Sequence, residues 1–337
     1  MKTVFVLGAG SSVEFGYPWG KELKDKILVL LSEKNMGYEQ LIGAGNRPED
    51  IAAFSRRLAR ADIDTIDQFI EKLDSKDEIR SVGRQAIALA IAFSENPNLF
   101  NQPLNNESQW YRIFRDYLLR NEAHISSKYF SFLTFNYDVA LEHYLYETIT
   151  SGSSNDLMGR LLADDFLRFN NFVHLHGRIG VYDWMGSQND IKPRPYASRI
   201  PNEDLPKIGA NLILPHQNLN TGELREMLFK AETVVILGFG FHPSNLKRIF
   251  FDDLVARSNV RIIATVYGLE PDKIEMLNRY ERVEKFNMPC RLFIREYLRR
   301  LDTNTLVDWK SGPAMVSVPP SEKSQDFWES DEPVGLV

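Results

Sequence analysis

Val4-Phe5-Val6-Leu7-Gly8-Ala9-Gly10-Ser11-Ser12 is the stretch on which the reading of the chain turns. Four apolar residues, two of them β-branched and one aromatic, followed at once by glycine, predict a strand buried on both faces, as in a parallel sheet. Glycines at that turn let the backbone approach a pyrophosphate, with amide N–H groups and a helix N-terminus favouring the negative charge. Lys21-Glu22-Leu23 opens an amphipathic helix beyond the loop. A tight turn without a ligand is the plainer reading of so short a motif, but its place at a first strand–helix turn favours the phosphate cradle.

The same grammar recurs at Tyr129 to Thr134, Asn171 to Leu175, Asn211 to Leu214, Thr233 to Leu237 and Val260 to Val266. Helical patterns lie between several of these runs, for example Val139 to Ile149 and Thr221 to Ala231. Alternation of strand and helix predicts an α/β fold with a Rossmann-like, doubly wound, mostly parallel sheet. Residues 38–122 break the grammar. They read as helical, with Ile63, Ile66, Phe69, Ile70 and Leu73 at helix-face spacing, Arg84 to Phe93 apolar nearly all round, and Asn96 to Asn106 as a loop. The expectation is an inserted helical subdomain, 38–122, within a sheet domain made of 1–37 and 123–300. Ile179 to Pro206 reads as a long loop or flap. Residues 301–337 form a tail, disordered or partner-binding, and their Ser, Pro and acid content favours disorder.

The 337 residues are 43% hydrophobic and 26% charged, an ordinary globular composition. Lys and Arg number 40 against 46 Asp and Glu, a net charge of −6 that argues against nucleic-acid binding as the main task. Arg56, Arg57 and Arg60 read as a solvated helix face. The single cysteine, Cys290, excludes an internal disulfide and a Cys-rich zinc site. Val4 to Leu7 is too short for a secretory leader, and Ala86 to Phe93 too short to span a bilayer. The expectation is a cytoplasmic protein with no membrane contact.

Polar clusters stand where three later strands close. Thr134-Phe135-Asn136-Tyr137-Asp138 follows one, His174-Leu175-His176-Gly177 another and Gly238-Phe239-Gly240-Phe241 a third. The carboxyl ends of the strands form the ligand edge of an open α/β sheet. Period-two alternation puts His174 and His176 on one face, with His176 nearer the edge. Each cluster has a plainer reading: Asn136 and Asp138 as caps for the helix from Val139, the histidines as core residues. Their joint placement with the glycine loop favours a site. The third glycine of a dehydrogenase fingerprint would fall at Val13, and no second strand ending in an acid follows, so hydride transfer is disfavoured.

In this order the residues resemble the Sir2 family, and more closely its Sir2-like NAD-hydrolysing branch found in bacterial antiphage defence. Gly8-Ala9-Gly10-Ser11-Ser12 with Gly16 and Pro18 is similar to the family's Gly-Ala-Gly-x-Ser…Gly-x-Pro loop. Thr134 to Asp138 is similar to Thr-Gln-Asn-Ile-Asp, His176-Gly177 to the catalytic His-Gly, and Gly238-Phe239-Gly240 stands where the family has Gly-Thr-Ser. The resemblance implies that Asn136 and His176 are catalytic, Asn136 holding the nicotinamide ribose and a water and His176 acting as general base. It implies a binding set of Gly8, Ala9, Gly10, Ser11 and Ser12 at the pyrophosphate, Thr134 beside Asn136, Asp138 at the carboxamide, and Gly238 and Gly240 at the adenosine ribose.

The departures from the family pattern bear on the activity. The four-cysteine zinc module of the deacetylases has no counterpart, so no zinc and no deacetylation are expected. Pro18-Trp19-Gly20-Lys21 replaces the family's Phe-Arg, and Gly240 its serine. The resemblance therefore implies an NAD+ glycohydrolase with NAD+ as substrate rather than cofactor. It further implies depletion of NAD+ in abortive antiphage defence, under control of a trigger, of homo-oligomerisation or of a partner such as a translocase ATPase. The competing readings are an NAD- or ADP-ribose-sensing module of a defence complex and an ADP-ribosyltransferase.

Overall fold

Val4, Phe5 and Val6 have no exposed surface and form the middle of β1 (Thr3–Leu7). The computed structural model describes residues 2–63, 65–73, 78–101, 109–125, 129–152, 156–168, 172–186, 190–212 and 221–303. β1 pairs on one side with β2 (Phe130–Thr134) and on the other with β4 (Thr233–Leu237). β3 (Phe172–His174) extends the sheet beyond β2; β5 (Arg261–Thr265) and β6 (Val283–Phe286) extend it beyond β4. The order is β3-β2-β1-β4-β5-β6 and every pairing is parallel. This is a doubly wound, Rossmann-like α/β sheet. Strand order reverses between β1 and β4, which makes the carboxyl edge beside those two strands the switch point where an open α/β sheet carries its crevice.

Helices cover both faces. α1 (Gly20–Leu30) follows the first loop; α2 (Met36–Gly43), α3 (Pro48–Arg60), α4 (Ile66–Lys72), α5 (Glu78–Ala92), α6 (Asn98–Asn101) and α7 (Trp110–Arg120) fill the stretch before β2. α8 (Ala140–Gly152) and α9 (Asp156–Arg168) precede β3, and α10 (Leu205–Asn211) and α11 (Thr221–Phe229) precede β4. α12 (Pro243–Arg248), α13 (Phe251–Ala256), α14 (Pro271–Asn278) and α15 (Cys290–Asp302) complete the described chain. Alternation along the strands divides the core. Phe5, Leu7, Phe130 and Phe132 face a cluster that runs without a break into α3, α5 and α7, while Val4, Val6, Leu133, Val234 and Ile236 face a second cluster under α11 to α14. Phe114 of α7 sits on the sheet itself, its ring 5.7 Å from Phe5 and 5.1 Å from Phe130.

One strand expectation needs correction, and one strand lies where the sequence pattern announces none. Asn211 ends α10, with Leu212 as its cap, because Leu205, Ile208 and Leu212 are buried at helical spacing; Ile213 and Leu214 lie outside the described residues. β6 was not expected at all. Its sequence Val-Glu-Lys-Phe carries two charges in four residues, and it lies at the sheet edge, where Glu284 meets Arg261 of β5 at 2.7 Å. Of the loop read at Asn96 to Asn106, Asn98–Asn101 is a short helix and 102–108 lie outside the described residues, as do 304–337 of the tail. The stretch from Ile179 to Pro206 is pinned by Arg194. Its guanidinium is buried and meets the buried Glu95 carboxylate at 2.5 and 2.8 Å, and a Tyr182 hydroxyl joins them. No helix among the described residues is long and apolar enough to cross a membrane.

Candidate active site

The sheet register brings the motif residues to one edge. Leu7 is level with Thr134 and with Leu237, and Thr134 is level with His174. Gly8 and Gly238 therefore stand one residue beyond the aligned edge, and Asn136 and His176 both stand two beyond it.

At the switch point the two glycine loops are joined backbone to backbone. The Gly8 amide donates to Leu237 O at 3.0 Å and the Gly10 amide to Gly238 O at 2.9 Å. A Cβ on Gly8 would lie 2.5 Å from Gly238 O, and one on Gly238, which has φ +55°, would lie 2.2 Å from Ser11 N. The glycines are thus required first for this close approach. The Ser11 and Ser12 amides bond the Gly8 and Ala9 carbonyls in a single 3₁₀ turn, so three amides expected to cradle phosphate already have main-chain partners. The start of α1 reaches the crevice, where Gly20 and Lys21 line it, as do the starts of α4 and α12.

Asn136 is held from three sides. Its amide N–H donates to Thr134 Oγ1 at 3.0 Å, and its side-chain Nδ2 donates to Ser12 Oγ at 3.0 Å and Ser11 Oγ at 3.3 Å. Its Oδ1 is buried and has no partner. Ser11, Ser12 and Thr134 lie behind the crevice wall and orient Asn136 rather than lining the crevice themselves. Asp138 accepts from the Ala140 amide at 3.1 Å and so caps α8. Burial pushes its carboxyl up to about 6, against the Ala140 amide, with Glu142 adding to the rise.

His174 and His176 part company. His174 ends β3 and is enclosed, Nε2 on Glu142 at 2.5 Å and Nδ1 on the Asn136 carbonyl at 3.1 Å. His176 lies in the turn that closes β3 and enters the crevice, its ring 5.2 Å from Phe135 and 5.7 Å from Tyr137. The turn depends on Gly177, at φ +75°, where a Cβ would lie 2.4 Å from Asn211 O. Burial lowers the His176 pKa; Asp67 opposes that shift, Arg248 adds to it, and hydrogen bonds that the ring donates to Asn245 and to the Phe135 backbone oppose it. Nε2 is buried without a partner.

The crevice has a volume of about 350 Å³ and is lined by Gly8, Ala9, Gly10, Asn136, Asp138, His176, Gly238 and Gly240 among others. It also takes residues that sequence reasoning did not find: Asp67 from α4, His242 and Asn245 at α12, and Tyr267, Glu270 and Lys273 past β5. Asp67 follows a Thr65 helix cap, a local signal, but nothing local ties that helix start to Tyr137, whose hydroxyl donates to Asp67. Among the described residues no group of three His, Cys, Asp or Glu gathers where it could hold a metal ion. A buried imidazole, an amide oxygen without a partner and a glycine-walled groove together suit a polar, extended ligand.

No protein-family model and no curated protein matches the chain. Among solved structures it is similar to a mutant Sir2 homologue in complex with 2′-O-acetyl ADP ribose, at 14% identity and a TM-score of 0.44, over 90% of this chain and 93% of that one. It is also similar to a Sir2 homologue–NAD complex, at 15% identity and a TM-score of 0.45, over 90% of this chain and 91% of that one.

Proposed function

We propose that the protein is an NAD+ glycohydrolase that cleaves NAD+ to nicotinamide and ADP-ribose. The observation that carries the reading is that Asn136 and His176, 40 residues apart in sequence, enter one crevice, each with a buried polar atom that lacks a partner. Such atoms cost roughly 1–3 kcal/mol each when left unpaired, a cost that a bound ligand or water removes.

Strand order suggests how a dinucleotide lies. From His176 after β3 to Tyr267 after β5 the edge spans four strand spacings, roughly 19 Å at about 4.8 Å each. The nicotinamide ribose is assigned to Asn136 and His176, the pyrophosphate to the switch point between Gly8 and Gly238, and the adenosine to the β5 side. Lys21 and the first turn of α1 supply positive charge near the pyrophosphate, a task the committed amides of Gly10, Ser11 and Ser12 do not perform. Asn136 orients the ribose and a water. As the C1′–N bond breaks, its electron pair leaves with neutral nicotinamide and positive charge gathers on the ribose. The water oxygen bonds C1′ while His176, whose depressed pKa keeps it neutral near pH 7, takes the proton.

Depletion of NAD+ in antiphage defence is the biological role we assign, from the order of the motifs; the lone Cys290, with no four-cysteine module, speaks against a zinc-dependent deacetylase. Control by homo-oligomerisation or by a partner such as a translocase ATPase belongs to the same proposal, with 38–122 and the tail, 301–337, as the candidate control surfaces. Product analysis tests the chemistry. Purified protein with NAD+ is expected to release nicotinamide and free ADP-ribose in equal amounts, whereas ADP-ribose found on a protein or nucleotide acceptor would make the enzyme a transferase.

A further inference from the structure

The helices before β2 do more than cover the sheet: they put a carboxylate into the crevice. Thr65 caps α4, and the first turn of that helix is tied to the sheet edge at two points. The Tyr137 hydroxyl donates to Asp67 Oδ1, and the Gln68 side-chain amide meets the His242 imidazole at the cap of α12. Tyr137 is buried, and its ring lies 5.7 Å from that of His176. Asp67, Tyr137 and His176 all line the crevice.

From this arrangement we propose that Asp67 is a positioning residue of the site: its carboxylate, fixed by Tyr137, supports the positive charge that the His176 ring takes on when it accepts a proton. What that proton transfer is for rests on the hydrolysis reading above; the pairing itself does not. The charges around the ring make Asp67 decisive. Arg248 of α12 acts on the ring with the opposite sign, its guanidinium held by the Leu175 carbonyl at 2.5 Å. Glu71 of α4 lies within reach of Arg248, Arg84 of α5 lies near Tyr137, and Asp138 and His242 line the same crevice. Among the groups that act on His176, Asp67 is the carboxylate. With it gone, Arg248 and burial would together leave the ring a weaker base.

The consequence is a coupling between the helical stretch and the chemistry. Asp67 reaches the ring only while α4 is seated against Tyr137 and His242. A partner or second copy that moves α4 would therefore change the strength of the base without touching the substrate groove.

The test is an NMR titration of the histidine rings in the full chain, wild type against Asp67→Asn, with His124 and His143 as internal controls. The His176 midpoint is expected to fall by about one pH unit in the variant while the controls hold. The acid limb of kcat/KM for NAD+ should move down with it, kcat should fall about tenfold, and ADP-ribose should bind as before. Asp67→Glu should restore most of both. Tyr137→Phe, which frees the carboxylate without removing it, should move the midpoint the same way by less, and it serves if Asp67→Asn does not fold. A His176 midpoint unchanged in folded Asp67→Asn, or unchanged in Tyr137→Phe if that is the variant that folds, would overturn the proposal. Because the titration needs no turnover, a wild type inert toward NAD+ would sink the hydrolysis reading and still leave the pairing decided.

Discussion

The Gly10 amide donates to the Gly238 carbonyl at 2.9 Å, which locks the loop after β1 to the loop after β4 at the point where the strand order reverses. The crevice floor is therefore a backbone-to-backbone contact with no room for side chains.

Gly238→Ala follows as the sharpest structural test. The new methyl would meet Ser11 N in a left-handed conformation, at a cost of about 1–3 kcal/mol for the backbone conformation alone. Urea unfolding should show that loss, and ADP-ribose binding should weaken with it. Gly240→Ala, where a Cβ meets nothing within 4 Å, should leave stability nearly unchanged.

Ser12 sits behind the wall and holds the Asn136 amide group at 3.0 Å. Ser12→Ala removes one hydrogen bond, worth about 0.5–1.5 kcal/mol, from the group that orients the ribose. We expect kcat to fall about tenfold with ADP-ribose affinity little changed. A fall in affinity with kcat intact would place Ser12 in direct contact with the ligand.

Glu14 supplies a pH signature away from the crevice. Burial raises its carboxyl to about 7, against the pull of Arg291 and a hydrogen bond from the Trp110 backbone, and its Oε2 has no partner. A carboxyl raised in the folded state adds stability that is fully present below its unfolded value of 4.5 and is lost as pH rises through about 7. Glu14→Gln should thus gain thermal stability over wild type progressively from pH 5 to about pH 8. A difference that is flat across that range, or larger at pH 5, would contradict the assignment.

Much of this site was legible in the residue order, for a physical reason. A parallel sheet sends every strand's carboxyl end to one edge, so motifs that close strands gather there whatever separates them in sequence. Asn136, His176, Gly8 and Gly238 needed only that rule. His174 shows its limit: period-two alternation pairs it with His176, but β3 stops at His174 and the turn at Leu175 and His176 sends the two rings apart. The glycine loop has the pattern of a phosphate cradle, yet its close partner is another loop, which no local pattern announces. Asp67 was hidden because its partner, Tyr137, is 70 residues away and belongs to another layer. β6 was hidden because an edge strand carrying Glu284 and Lys285 has no apolar run to betray it.

The most direct test of the account compares wild type, Asn136→Ala and His176→Ala for two quantities at once: release of nicotinamide from NAD+ and calorimetric binding of ADP-ribose. The account predicts hydrolysis by wild type, a loss of at least about a hundredfold in each variant, and ADP-ribose binding by all three. Binding by all three with hydrolysis by none would contradict it and make the crevice a sensor of the nucleotide rather than an enzyme.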